Sequence, residues 1–285
     1  MVWQMSFWRY AFVMLSLSCI LVLPTLAQPP IFFADFDGNG IPNNDVNNPE
    51  NWEPENPGTI WALNRFPANG TQALQMQASG CGTSGYTPLP GVENFTNGII
   101  QFDAGWLDDD SIGWMVRQNG IDRGYFLTFG FTESLENGIF DLSQINYVRD
   151  CLGEGMALEE GPIPGETIIP GKAMAVTRHN LNPTDQTANT SYTGRIKVSG
   201  SEITMWYGFT EDFPDNPLTD PDPNAVASTL HIDNAEVFSG IVSFFHESWD
   251  NGFLDNVYVF DERGLAVISP NEKTTTTWAS LKQSR

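Results

Sequence analysis

The rhythm of the apolar residues limits most severely what this chain can fold into. They alternate over short runs bounded by Gly, Pro, Asn and Asp, and a helical period is nearly absent. Ile112, Trp114 and Val116 fall on one face of an extended chain, and Gly113, Met115 and Arg117 on the other. Ile203, Met205 and Tyr207 likewise oppose Thr204 and Trp206. Arg195–Val198, then Ser199-Gly200-Ser201, then Glu202-Ile203 reads as a hairpin with glycine at its turn. The pattern predicts eleven strands: Ile60–Asn64, Ala73–Ser79, Ile99–Ala104, Ile112–Gln118, Gly124–Gly130, Ala173–Arg178, Ser191–Val198, Glu202–Gly208, Ser228–Ile232, Gly240–His246 and Leu254–Phe260. So many short strands predict an all-β chain, folded as a two-sheet antiparallel sandwich. Long polar loops join them at Asp37–Thr59, Leu152–Lys172 and Thr210–Ala227. Such loops in a compact domain are usually functional or disordered.

The first residues read differently. Arg9 is the only charge before Asp35, and Tyr10 to Leu23 is almost wholly apolar. Pro24 ends that run, and Thr25-Leu26-Ala27 offers small residues for cleavage before Gln28. This predicts a signal peptide over residues 1–27. The run is shorter than the ~20 apolar residues of a spanning helix, so no stable membrane insertion is expected after cleavage. The expected location is secreted, extracellular or at the cell surface. Residues 28–262 then form one sandwich domain, and residues 263–285, basic at their end, a tail outside it. Cys81 and Cys151 follow the signal, both in Gly-rich loop sequence. In an oxidising compartment an even pair predicts one disulfide, with two separately buried thiols as the alternative.

The formal net charge is −22. Such a surface repels phosphate backbones, which argues against nucleic acid as a partner, and it favours cations. Two cysteines and three scattered histidines give no zinc spacing. Asp35-Phe36-Asp37-Gly38-Asn39-Gly40-Ile41 sets oxygen ligands at alternate positions before a glycine, as a loop wrapped round a calcium ion requires, and Asp45 could join. An Asx-rich turn without metal is the alternative. Asp108-Asp109-Asp110 reads as a second cation site or as a solvated turn, and Asp255-Asn256 at the start of the last strand as a third acidic feature.

Gln101-Phe102-Asp103, then Asp108 to Gln118, then Gly124-Tyr125-Phe126-Leu127 resembles the concanavalin A-like lectin/glucanase superfamily. Within it the chain is most similar to laminin-G-like modules and the thrombospondin C-terminal domain. The ending Gly240-Ile241-Val242-Ser243-Phe244, followed by Leu254-Asp255-Asn256-Val257-Tyr258-Val259, matches their closing strands. Asp35, Asp37, Asn39, Gly40, Ile41 and Pro42 fit the calcium strings that precede the thrombospondin domain. The resemblance implies a jelly-roll sandwich. It also implies a structural calcium ion where first and last strands meet, which would make Asp35 and Asp255 neighbours.

Glucanases of that superfamily use Glu-x-Asp-x-x-Glu on one strand, and this string is absent. His246-Glu247-Ser248-Trp249-Asp250 lacks the second histidine of a metalloprotease helix, and there is no Gly-x-Ser-x-Gly elbow or nucleotide loop. A binding module for a glycan or an extracellular protein is therefore expected, stabilised by calcium. Its candidate ligand residues are Trp206, Arg117, Tyr125 and Trp106; Trp114, alternating with Ile112 and Val116, is expected in the core. A glucanase-type hydrolase with an unrecognised acid pair and a purely structural surface protein are the alternatives.

Overall fold

The structure is a computed structural model and describes residues 29–37, 61–77, 85–105, 111–120, 122–130, 137–144, 146–149, 166–169, 173–177, 189–247 and 252–262. The strands in chain order are β1 (Phe32–Ala34), β2 (Trp61–Arg65), β3 (Gln72–Met76), β4 (Gly85–Pro88), β5 (Gly98–Gly105), β6 (Ser111–Gln118), β7 (Tyr125–Gly130) and β8 (Asn137–Asp141). They continue with β9 (Asn146–Arg149), β10 (Glu166–Ile169), β11 (Ala173–Thr177), β12 (Tyr192–Ser199), β13 (Glu202–Phe209), β14 (Ser228–Ile232), β15 (Ile241–Glu247) and β16 (Phe253–Asp261).

All described pairings are antiparallel, and two large sheets face each other as a jelly-roll sandwich, with β9 and β10 as a separate hairpin. One sheet runs β14-β13-β12-β5-β16-β3-β2, with β1 also on β16; the other runs β11-β8-β7-β6-β15-β4. The alternation read from the sequence sets the inner faces. Ile100, Phe102 and Ala104 of β5 meet Ile112, Trp114 and Val116 of β6 in one core cluster. The Phe102 ring lies 5.2 Å from Trp114 and 5.1 Å from Phe129, and Trp114 lies 5.1 Å from Phe244, so four aromatic rings join the sheets. Burying each such side chain stabilises the fold by roughly 1.5–3 kcal/mol. Phe102 reaches this place because its cross-strand partner is Gly194, where a Cβ would come within 2.2 Å of the ring.

The predicted hairpin is β12–β13, turning at Gly200 with φ 58°. β1, β4, β8, β9 and β10 were not expected, because they are three to five residues long and several carry Pro, Gly or Asn. β4 ends in Pro88 on the outermost strand of its sheet, where a missing N–H costs no ladder bond.

Two features of the eight-stranded sheet shape its outer surface. The first is that β5 is buried along its whole length on both faces. Its outward residues Gln101 and Asp103 are therefore polar groups taken out of bulk water. The second is a fork on β16. Its first residues pair with β3 (Phe253 with Gln75, Leu254 with Leu74), and its later ones pair with β1 (Val257 with Ala34, Val259 with Phe32). Between them lies a bulge at Asp255 and Asn256, the latter with φ 48°.

Candidate ligand cleft

On the outward face of β12, Thr193, Arg195 and Lys197 follow one another at every second residue, opposite the core-facing Tyr192, Gly194, Ile196 and Val198. Arg195 is fully buried. Its guanidinium donates to Gln101 Oε1 from Nε at 2.7 Å and also from Nη2, and to the Thr219 carbonyl from Nη1. It also lies 5.4 Å from the centroid of the Phe213 ring. Burial lowers its pKa to about 10, while Asp220 and Asp103 pull it back up. Lys197 Nζ donates to both carboxylate oxygens of Asp220 at 2.9 and 2.7 Å. Two side chains of one strand thus tie the segment 210–227 across the sheet.

That crossing leaves a cleft of about 310 Å³. Its floor is the sheet: Gln101, Asp103, Thr193, Asn256 and Tyr258. Its wall is the crossing segment: Thr210, Phe213, Pro214, Asp215 and Pro217. The floor is internally ordered. Thr193 Oγ1 donates to Asp103 Oδ1, and Asn256 Nδ2 donates to Asp103 Oδ2 at 2.9 Å. Tyr258 is held in place by stacking on Phe33, with centroids 4.5 Å apart. Thr210 Oγ1 donates to Ser191 Oγ at 2.9 Å, which anchors the start of the wall.

Asp255 stands directly across from Asp103 in the β5–β16 ladder but is nearly sealed from solvent. Its Oδ2 accepts from Thr71 Oγ1 at 2.8 Å and from Asn69 Nδ2 at 3.3 Å, and its Oδ1 accepts from the Asn256 N–H at 2.8 Å. Burial raises its pKa to about 7, with Asp103 adding to the rise and those hydrogen bonds opposing it. Asp37 Oδ1 accepts from the Gln72 N–H at 3.1 Å, so the residues after β1 meet the same fork. Asp35 follows the Ala34–Val257 pair and is buried on the side of the bulge. The expected nearness of first and last strands is therefore present. Among the described residues, however, no group of three or more Asp, Glu, His or Cys is arranged to hold a metal ion. Asn39, Asp45, Asp108, Asp109 and Asp110 lie outside the described residues, as do Trp106, Cys81, Cys151 and the signal region.

The three described among the predicted ligand residues stand elsewhere. Arg117 was expected to face solvent or ligand and is instead fully buried, at φ 53°. It donates to the carbonyls of Thr96 at 2.8 Å, Gly200 at 2.6 Å and Glu236, and to Asn97 Oδ1 at 3.1 Å. Tyr125 is also buried, and its hydroxyl accepts the Glu236 N–H. Both residues bind three chain segments together at the end of β5 and β12 away from the cleft. Trp206 faces outward beside Arg195 as its alternation predicts, but it is buried and is not among the residues lining the cleft. Trp114 lies in the core as expected. The cleft residues themselves were missed. Their signal was Gln101 and Asp103 alternating with Ile100, Phe102 and Ala104, and the Asp- and Pro-rich loop that comes after β13.

No family model matches the chain, and no curated protein matches it. Solved structures do. The carbohydrate binding module CBM66 from Bacillus subtilis aligns at TM-score 0.43 and 12 % identity, over 74 % of this chain and 96 % of that one. A legume lectin-like domain from Entamoeba histolytica aligns at 0.42 and 7 %, over 71 % and 88 %. The exoplasmic/lumenal domain of VIP36, in a Ca2+/Man3GlcNAc-bound form, aligns at 0.40 and 8 %, over 71 % and 84 %. The fold of this chain rests on its own two sheets and their register, and likenesses this distant carry no argument about what it binds.

Proposed function

We propose that this protein is a secreted, non-catalytic, lectin-type module that holds a glycan in the cleft over β5, β12 and β16. One observation carries the reading. The cleft joins two aromatic rings, Tyr258 and Phe213, to a set of amide, hydroxyl and carboxylate groups, Gln101, Asp103, Thr193, Thr210 and Asn256. A pyranose presents the same two chemistries, an apolar CH face and a ring of hydroxyls, and placed polar groups beside apolar surface are what orient a small ligand in a cleft. The floor groups are fixed by one another before any ligand arrives, which lowers the ordering cost of binding. Secretion is inferred from the N-terminal sequence, and calcium from the Asp35–Asp45 string, of which Asp35 and Asp37 lie beside the fork.

The test is retention of the mature protein on a panel of polysaccharides, with released reducing sugar measured in the same wells. Phe213→Ala and Tyr258→Ala should each weaken retention by about tenfold or more, the loss of a ring worth ~1.4 kcal/mol. Retention unchanged in both variants would refute the cleft as the site. For calcium, a chelator should lower the melting temperature, since an ion bound only to the folded state stabilises it; an unchanged melt removes the ion from the proposal.

The hydrolase reading has one observation in its favour, the facing carboxyls of Asp103 and Asp255 with the latter held close to neutral. Asp255 is not among the residues lining the cleft, and its oxygens are engaged by Thr71, Asn69 and Asn256. A general acid must reach the bond it protonates, so the binder is favoured. Sugar release that Asp103→Asn abolishes would reverse that preference.

A further inference from the structure

The cleft's charge says more about its ligand than its shape does. Two of its lining residues are carboxylates, Asp103 in the floor and Asp215 on the wall, and none of its described lining residues is Lys or Arg. The nearest cations are already committed. Arg195 is spent on Gln101, Thr219 and the Phe213 ring, and Lys197 on Asp220. Asp215 is exposed and makes no ion pair among the described residues. Outside the Lys197–Asp220 pair the wall segment carries three further acids, Glu211, Asp212 and Asp222, in a chain of formal net charge −22. This field rejects a uronic acid or sulfated sugar and draws in a cation.

Resting on the glycan reading above, we infer that the preferred ligand is an amino sugar bearing a free ammonium group. Its CH face lies against the aromatic rings, and its ammonium donates to a cleft carboxylate. A charge-assisted hydrogen bond of this kind is about twice as strong as a neutral one. An N-acetylated sugar of the same shape keeps the ring contact and loses the charge.

Three tetrasaccharides decide the matter: the fully deacetylated chitin tetramer, the N-acetylated chitin tetramer and tetragalacturonate. Affinity is measured by calorimetry with the full mature chain, at mildly acidic pH where the amine is protonated, in low and in high salt. The deacetylated tetramer should bind about tenfold tighter than the acetylated one, and the uronate should not bind. High salt should narrow the gap. Asp215→Asn, at an exposed position, should bring the ratio of the two affinities close to one. A control addresses general attraction to an acidic surface. Asp122→Asn with Asp233→Asn removes two acids at the far end of the sandwich, beside Arg123 and the end of β14. It should leave the preference intact. Equal affinity for the charged and acetylated tetramers overturns the amino-sugar inference and leaves the glycan cleft standing. So does an equal effect of the control and Asp215→Asn. Failure of every tetramer, and of the wider polysaccharide panel, overturns both readings together.

Discussion

Arg117 and His246 show how the environment of a single residue decides its role. Arg117 is a buried cation, and its four acceptors come from the residues before β5, the β12–β13 turn and the segment after β14. Replacing it with Met keeps the volume and orphans those acceptors. Arg117→Met should cost roughly 3–5 kcal/mol of unfolding free energy in denaturant titration, because buried partners of a lost charge stay dry. Glycan retention by the fraction still folded should not change, since the cleft is at the other end. His246 is wholly buried in the core, 5.5 Å from the Trp61 ring, and burial lowers its pKa to about 3. Below the ordinary histidine pKa of ~6.5 the unfolded chain binds a proton that the folded one does not, so acid favours unfolding. The stability of the wild type relative to His246→Phe should fall by roughly 1.4 kcal/mol per pH unit as pH drops from ~6.5 toward ~3. A constant difference across that range would mean the histidine is charged in the fold.

At the scale of elements, β12 does two jobs with its two faces. Its inward residues pack the core, and its outward Arg195 and Lys197 hold the 210–227 segment that makes the cleft wall. Arg195→Lys keeps a charge and loses the forked geometry that reaches Gln101 and Thr219 together. Amide exchange within residues 210–227 should then quicken, with β5 and β12 still protected, and glycan retention should weaken with the loosened wall. Gly194→Val should be worse for the fold than Arg195→Lys, because its side chain meets the Phe102 ring. The two-sheet class and most long strands were legible in the sequence, because alternation over six to eight residues leaves one consistent burial pattern. β1 and β4 were not, since three or four residues carry too little period to read. The cleft was less legible than the fold. Alternation reports which face a residue is on, so it set Trp206 opposite the core-facing Ile203, Met205 and Tyr207. It is silent on whether a loop later crosses that face. Arg117 misled for a related reason: its left-handed backbone at a strand end turns the side chain out of the alternating series and into the junction of three segments.

For the whole molecule, charge and topology matter most. With 35 acidic and 13 basic residues, self-repulsion opposes compaction. Added salt should raise the melting temperature of the chelated protein by several degrees, as screening shortens the reach of that repulsion to ~10 Å or less. A flat response would mean the acids are already compensated locally. β16 makes the largest demand on topology. It is the last described strand in the chain, yet it lies inside its sheet, with β5 on one edge and β3 and β1 sharing the other. During synthesis, β1, β3 and β5 therefore wait for a neighbour that the ribosome releases after everything else they touch. Until residues 253–261 emerge, the eight-stranded sheet is three separate pieces, β14-β13-β12-β5, β3-β2 and the lone β1, and the cleft lacks Asn256 and Tyr258. Both the eight-stranded sheet and the cleft floor are therefore completed only by the last described strand.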